Sequence, residues 1–287
     1  NAVKFQIFKA SKLYPKDKKM YKIFKKIELS QKQFIYFKKF ADKINIPITC
    51  SAFDIESAKF LEKCNVKFHK IASSELSNYK LIDFISKTKK PIVLSTGMSD
   101  LEDVKKAVEI CENNKNYNIS ILQCTSLYPP NHRSNNLNVL KAFQKNFIYP
   151  VGLSDHNLDN IPAITSVGLG ARIFEKHFTL SKKMDGPDHF YALEPNEFKL
   201  YIKEIKNSLK CLGSEKKIFL IKERIQSRRK SMYFKRDMKK GEIINKKDII
   251  YMRPPLGIMP NYINHIIKKK IKKNVKAKNP ILYKDLK

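Results

Sequence analysis

The run Tyr149-Pro-Val-Gly-Leu-Ser-Asp-His156 and its successor Arg172-Ile-Phe-Glu-Lys-His-Phe-Thr179 decide how this chain is read. Both are short apolar stretches that close on or near a histidine, and the second leads into Gly186-Pro-Asp-His189, a turn-forming sequence. A lone histidine in an apolar strand is ordinarily a packed, hydrogen-bonded core residue. Two imidazoles at the ends of successive strands, with the carboxylate of Asp188 arriving shortly afterwards, match instead the histidine and carboxylate sets that recur in metal sites. The chemistry is therefore expected at strand ends.

Working outward, five more runs rich in β-branched residues precede these two: Ala2–Phe8, Ile46–Phe53, Lys67–Ser73, Pro91–Gly97 and Ile119–Thr125. Between them the apolar residues recur at three- and four-residue intervals, as in Asp54–Cys64, Ser77–Lys87, Ser99–Asn113, Leu137–Lys145, Leu158–Gly168 and Pro195–Leu212, which predicts amphipathic helices. Ser99-Asp-Leu-Glu102 has the spacing of a capping box. Strands apolar on both faces and alternating with helices indicate a parallel sheet covered by helices. Polar residues gather after nearly every strand, at Ser51, Ser73 with Glu75, Ser95, Ser126, Ser154 and the two histidines. An open doubly wound sheet collects its site at one switch point, whereas a barrel draws on most of its loops, so the distribution predicts a (β/α)8 TIM barrel. Seven strands are one short of eight, and the first opens almost at Asn1, so the first βα unit, roughly 30 residues at ordinary barrel spacing, is expected to be missing.

The barrel is expected over residues 1–212, a lysine-rich linker over 213–229, and a small β-rich domain over 230–287, with strand-like pieces such as Ser231–Phe234 and Ile249–Met252. The five cysteines, at positions 50, 64, 111, 124 and 211, have no Cys-x-x-Cys spacing and read as reduced, mostly buried thiols. No apolar run approaches the roughly 18 residues needed to cross a bilayer, so a cytoplasmic, non-membrane protein is expected. The net charge of +31, from 58 Lys and Arg against 27 Asp and Glu, raises the prospect of a polyanion partner. The excess is nearly all lysine spread along the chain, which reads as solvated helix faces and argues against specific nucleic-acid binding. The alternative to an enzyme is a non-catalytic polycationic protein on a degenerate barrel.

Lys4 and Lys70 project from strands, where an ammonium is costly to bury unless an anion compensates it. At this point Val3-Lys-Phe-Gln6, Lys70-Ile-Ala-Ser-Ser-Glu75, Leu94-Ser-Thr-Gly-Met98, Cys124-Thr-Ser-Leu-Tyr-Pro129, Gly152-Leu-Ser-Asp-His156, Glu175-Lys-His-Phe-Thr179 and Gly186-Pro-Asp-His189 resemble, in order, the motifs of the N-acetylneuraminate (sialic acid) synthase family, which includes legionaminic and pseudaminic acid synthases. Lys239-Lys-Gly-Glu242 and Arg253-Pro254 are similar to that family's antifreeze-like (SAF) domain. The resemblance implies condensation of phosphoenolpyruvate with an N-acylated hexosamine, such as N-acetylmannosamine or a 2,4-diacetamido-6-deoxy relative, to give a nonulosonic acid and phosphate.

It further implies that His156 and His177 hold a divalent metal, Mn2+ or alternatively Mg2+ or Co2+. Lys4, Ser51, Lys70, Ser73, Ser95 and Ser154 would bind phosphoenolpyruvate, and Glu75 would handle the proton of the attacking water. Asp188 would contact the acceptor hydroxyls, Tyr128 would line the pocket, and Ser126 lies where acceptor choice is made. Arg253 would reach into a partner's barrel to bind the N-acyl group, giving a domain-swapped homodimer. The family's first strand, with its acidic site residue, has no counterpart here, and Pro255-Leu256 stands where Gly-Asn commonly follows the Arg-Pro pair. Gly186-Pro-Asp-His189 leans toward sialic or legionaminic acid over pseudaminic acid.

Overall fold

The computed structural model describes residues 1–225 and 228–287, so Gln226 and Ser227, within the expected linker, lie outside the described residues. The described residues form two compact units, Asn1–Gly213 and Ser214–Lys287.

The first unit carries the seven expected strands, each trimmed at its ends: β1 Val3–Ile7, β2 Ile48–Ala52, β3 His69–Ile71, β4 Ile92–Ser95, β5 Ile119–Cys124, β6 Val151–Asp155 and β7 Ile173–Lys176. All are parallel and pair in chain order from β1 to β7. Were the sheet flat, six inter-strand steps of about 4.8 Å would set its edges almost 30 Å apart. Yet Lys4 of β1 and Glu175 of β7 approach to 3.9 Å, so the sheet curls into a barrel wall whose interior is narrow enough for side chains from opposite edges to meet.

Helices α1 Ala10–Leu13, α2 Lys19–Lys26 and α3 Gln31–Lys43 lie between β1 and β2. They are followed by α4 Ile55–Lys63, α5 Tyr79–Ser86, α6 Leu101–Asn113, α7 Val139–Asn146, α8 Ile161–Gly168 and α9 Pro195–Leu212. The outward residues of the strands, among them Ile48, Cys50, Ile71, Ile92, Leu94, Ile119 and Ile121, pack against helix residues such as Phe34, Leu61, Leu81, Ile85, Val104 and Leu140 in one continuous core. Polar caps start several helices where the sequence places them: Asp54 accepts from the Ser57 N–H at 2.8 Å, and Ser30 forms a reciprocal box with Gln33. The box expected at Ser99 and Glu102 falls one residue later, between Asp100 and Asp103. Aspartate caps a helix as well as serine does, and the shift puts Leu101 rather than Asp100 at the first helical position.

The second unit is built on β8 Ser231–Phe234, antiparallel to β9 Ile249–Met252, with further bridges at Met238–Val275, Ile243–Lys270 and Ile271–Leu286. A short helix, α10 Ile221–Ile225, precedes β8 within this unit. Met232, Phe234, Ile244, Ile258, Ile266, Ile271 and Ile281 make its core. All five cysteines are free; Cys50, Cys111 and Cys124 are buried, Cys64 is half-buried and Cys211 is exposed. No helix of the described residues is long and apolar enough to cross a membrane.

Gly152 permits the close approach of β6 to β7, because a Cβ at this position would overlap the Ile173 carbonyl oxygen and press on Leu122. Gly152→Ala is expected to destabilise the first unit by about 1–3 kcal/mol, the usual range for overpacking a closed core. Urea unfolding followed by circular dichroism checks this through a lower midpoint at unchanged slope.

Candidate active site

Successive residues of a strand face opposite sides, and in β6 and β7 this alternation sorts chemistry from packing. Ser154 and then His156 face the barrel interior from β6, Glu175 and then His177 from β7, while Leu153 and Phe174 turn out into the helical layer. The inward set meets Lys4 from β1, Lys70 from β3, Ser95 from β4 and Cys124 from β5 around a cleft of about 370 Å3. Ser73, Glu75, Ser126, Tyr128, Asp188 and Tyr191 also line it, from the loops above.

At the floor, Glu175 is held by three groups. Its Oε1 accepts from Ser154 Oγ at 3.2 Å and lies 3.7 Å from Lys70 Nζ and 3.9 Å from Lys4 Nζ. Lys70 also donates to Ser95 Oγ at 2.6 Å and to the Ile71 carbonyl at 2.9 Å. Burial alone would raise the Glu175 carboxyl; Lys4, Lys70 and then His177 outweigh it and pull the group down to about 2. Burial brings the Lys70 ammonium down to about 8, with Glu175 opposing the shift. The anion that the two strand lysines require is thus supplied in part by the protein. Two ammoniums against one carboxylate still leave a net positive charge at the floor.

Above this floor the imidazoles of His156 and His177 stand with ring centroids 5.2 Å apart. His156 Nδ1 lies 2.9 Å from the Thr125 carbonyl, an acceptor that fixes a proton on Nδ1; burial alone would lower this imidazole, but its hydrogen bonds with Cys124 and the Thr125 carbonyl outweigh it and hold the group above its ordinary value. Burial pushes His177 down to about 4 against the pull of Asp188, whose Oδ2 lies 3.7 Å from Nδ1, so this ring is neutral near pH 7. Neutral imidazole is the form that binds a metal. Among the described residues no group of three or more His, Cys, Asp or Glu side chains is placed to hold a metal ion. Tyr128 packs on both rings, at 4.2 Å from His156 and 6.2 Å from His177, and Tyr191 stands 5.1 Å from His177.

Beside the lysines, Gly97 donates its N–H to Ser73 Oγ at 3.0 Å, and Ser126 Oγ is buried without a partner. A Cβ on Gly97 would overlap Ser126 Oγ and come 2.9 Å from Ser73 Oγ, so this cradle of hydroxyls stays open only because residue 97 is glycine.

The structure therefore gathers Lys4, Lys70, Ser73, Glu75, Ser95, Ser126, Tyr128, Ser154, His156, His177 and Asp188 in one cleft. Ser51 is not in its lining: it is fully buried beside Lys70 in the sheet register, with its hydroxyl unpartnered. Arg253 belongs to the second unit, where it is exposed at the end of β9. Sequence reasoning overlooks Glu175, Cys124 and Tyr191. Glu175 stands in a strand motif without a role of its own there, although its inward parity with His177 follows from the two-residue spacing. Burial alone would raise the Cys124 thiol, but His156 beside it more than offsets this and holds the group below its ordinary value.

Residues 1–217 match the model of the NeuB family and residues 229–287 that of the SAF domain. An uncharacterized protein of Methanocaldococcus jannaschii is 41% identical over 99% of this chain and 85% of its own length. The N,N'-diacetyllegionaminic acid synthase of Legionella pneumophila is 33% identical over 100% of this chain and 86% of its own length. Among solved structures, the N-acetylneuraminic acid (sialic acid) synthetase of Leptospira borgpetersenii superposes with a TM-score of 0.74 at 28% identity, covering 79% of each chain. The ordered barrel strands, the two convergent imidazoles and these matches lead to one conclusion: the chain belongs to the NeuB family and ends in a SAF domain.

Proposed function

We propose that this chain is a nonulosonic acid synthase, condensing phosphoenolpyruvate with the open-chain aldehyde of an N-acylated hexosamine and releasing phosphate. The observation that carries the reading is the charge arrangement of the floor, where Lys4 and Lys70 flank Glu175 directly below His156 and His177. A net cationic floor suits a small, multiply charged anion. The lysines act as point charges, and Ser73, Ser95, Ser126 and Ser154 supply hydroxyl donors around it. Ser51 lies outside the cleft lining and has no assigned contact with the substrate.

In this reading His156 and His177 hold the divalent ion, Mn2+ or else Mg2+ or Co2+. Such an ion, when bound, supplies Lewis-acid polarisation of the acceptor aldehyde. The enol carbon of phosphoenolpyruvate attacks the aldehyde carbon, whose C=O π pair passes to the oxygen and takes up a proton from solvent to leave a hydroxyl, while positive charge develops at C2 of phosphoenolpyruvate. Glu175, ionised at any physiological pH, faces that charge and stabilises it electrostatically. Glu75, whose Oε2 accepts from Asn78 at 2.9 Å, takes the proton of the water that adds to C2. The tetrahedral intermediate then collapses, its C–O bond breaks and phosphate leaves. Asp188 and Tyr128 orient the acceptor chain, and Arg253 of the partner subunit binds its N-acyl group in a domain-swapped homodimer.

The direct check is phosphate release on incubation with phosphoenolpyruvate, Mn2+ and either N-acetylmannosamine or its 2,4-diacetamido-6-deoxy relative. Release that depends on the acceptor is expected, and none with any N-acyl hexosamine overturns the reading. Glu175→Gln keeps the shape of the side chain but removes its charge, and should lower kcat about a hundredfold or more with a smaller change in KM for phosphoenolpyruvate. The pH dependence follows from Lys70. Burial favours the neutral amine, so the cation is present below about 8 and is lost as pH rises through that value, well before an ordinary lysine titrates. The dissociation constant for phosphoenolpyruvate, measured by calorimetry, should therefore rise about tenfold per pH unit above pH 8. A flat profile to pH 10 would remove Lys70 from the binding site.

A further inference from the structure

The outward faces of β6 and β7 carry a buried polar cluster that the proposed chemistry does not use. Asp155 immediately precedes His156, Lys176 immediately precedes His177, and the two stand opposite each other in the strand register. Their side chains point away from the cleft, into the layer that holds Leu153, Val167, Tyr201 and Ile205. There Lys176 Nζ donates to Asp155 Oδ2 at 3.0 Å, with side-chain exposures of 1% and 0%. The same ammonium donates to the main-chain carbonyl of Asn157. The other Asp155 oxygen accepts from the Asn157 backbone N–H at 2.9 Å and from its Nδ2 at 2.8 Å. That amide in turn donates to Asn135 Oδ1 at 2.7 Å. The backbone C-terminal to His156 is thus tied, through both its N–H and its carbonyl, to a pair of charges, one of which is anchored on the residue before His177.

We infer that Lys176 is a positioning residue for the metal pair: by bridging Asp155 and the Asn157 carbonyl it fixes the separation and orientation of the two imidazoles, and with them the affinity for the divalent ion. This inference rests on the metal assignment of the preceding section. Fold stability does not account for the pair, because replacing a buried ion pair by apolar groups of similar volume is often neutral or stabilising. Its geometry does have a consequence at the site, since partners that orient metal-binding histidines set how well they bind. Removing one partner alone would strand a buried charge, so the informative variant removes both.

The test uses the full chain as the double variant Asp155→Asn/Lys176→Met. The carboxamide oxygen introduced at position 155 can still accept from the Asn157 N–H, and a thioether chain at position 176 fills the space of the lysine stem, so only the tie between the two strand ends is lost. Mn2+ titrations read by the electron paramagnetic resonance of the free ion, Co2+ absorption spectra and thermal melting are run in parallel on wild type and variant. The expected result is cooperative melting within a few degrees of wild type, Mn2+ binding weakened about tenfold to a hundredfold, and an altered Co2+ spectrum. Unchanged affinity and spectrum overturn this inference alone, whereas a wild-type chain that binds neither ion overturns it together with the metal assignment. Should the double variant not melt cooperatively, Lys176→Arg, which keeps the charge, gives the same readout: weakened Mn2+ binding supports the inference and unchanged binding overturns it.

Discussion

The barrel interior depends on one carboxylate. Glu175 lets two ammonium groups stand in a cleft where either alone would be strongly disfavoured, since unit charges about 4 Å apart attract by about 4 kcal/mol in a partly buried setting. It also draws together β1, β3, β6 and β7, because Lys4, Lys70 and Ser154 all direct a polar atom at the same oxygen. The unequal count of charges matters as much as their contact. A neutral floor would have no electrostatic preference, and a floor of two unpaired lysines would be hard to fold; one carboxylate between two ammoniums satisfies both demands.

The same strands show how a two-residue alternation serves two purposes at once. Inward positions carry Ser154, His156, Glu175 and His177; outward positions carry Leu153, Asp155, Phe174 and Lys176. A shift of one residue in the register of β6 against β7 would exchange these sets and place apolar side chains in the cleft. The Asp155–Lys176 pair, buried among aliphatic residues, is satisfied only in the observed register, so it disfavours that shift as well as orienting the loop after β6.

Much of this is legible in the sequence, for identifiable reasons. The seven strands are short apolar runs between turn-forming residues, and α4 to α9 have regular apolar spacing and, in several cases, recognisable caps. Helices α1 and α2 escape such a reading because both are short and neither has a capping side chain, although α2 carries an apolar stripe at Met20, Ile23 and Phe24. Helix α3 escapes it despite its Ser30 and Gln33 box, since only Phe34 and Ala41 are fully buried along it. Histidines and strand lysines announce themselves by residue type and position. Glu175 and Cys124 do not, because their importance comes from neighbours on other strands, a relation that no local window contains. The +31 charge has a similarly plain basis: the lysines lie mostly on exposed faces, while Lys70 and Lys176, with 2% and 1% of their side chains exposed, each stand beside a carboxylate, Glu175 and Asp155.

Pairing in strict chain order has a kinetic corollary. Every ladder in the sheet joins a strand to its immediate successor, so no pairing need wait for a distant segment, and each βα segment leaving the ribosome finds its template already made. Loop closure then costs entropy in small, similar instalments rather than one large step. The cleft, by contrast, requires Lys4 to meet Glu175, which are 171 positions apart in the sequence (175 − 4), so the fold can accrue gradually while catalytic competence comes only at the end.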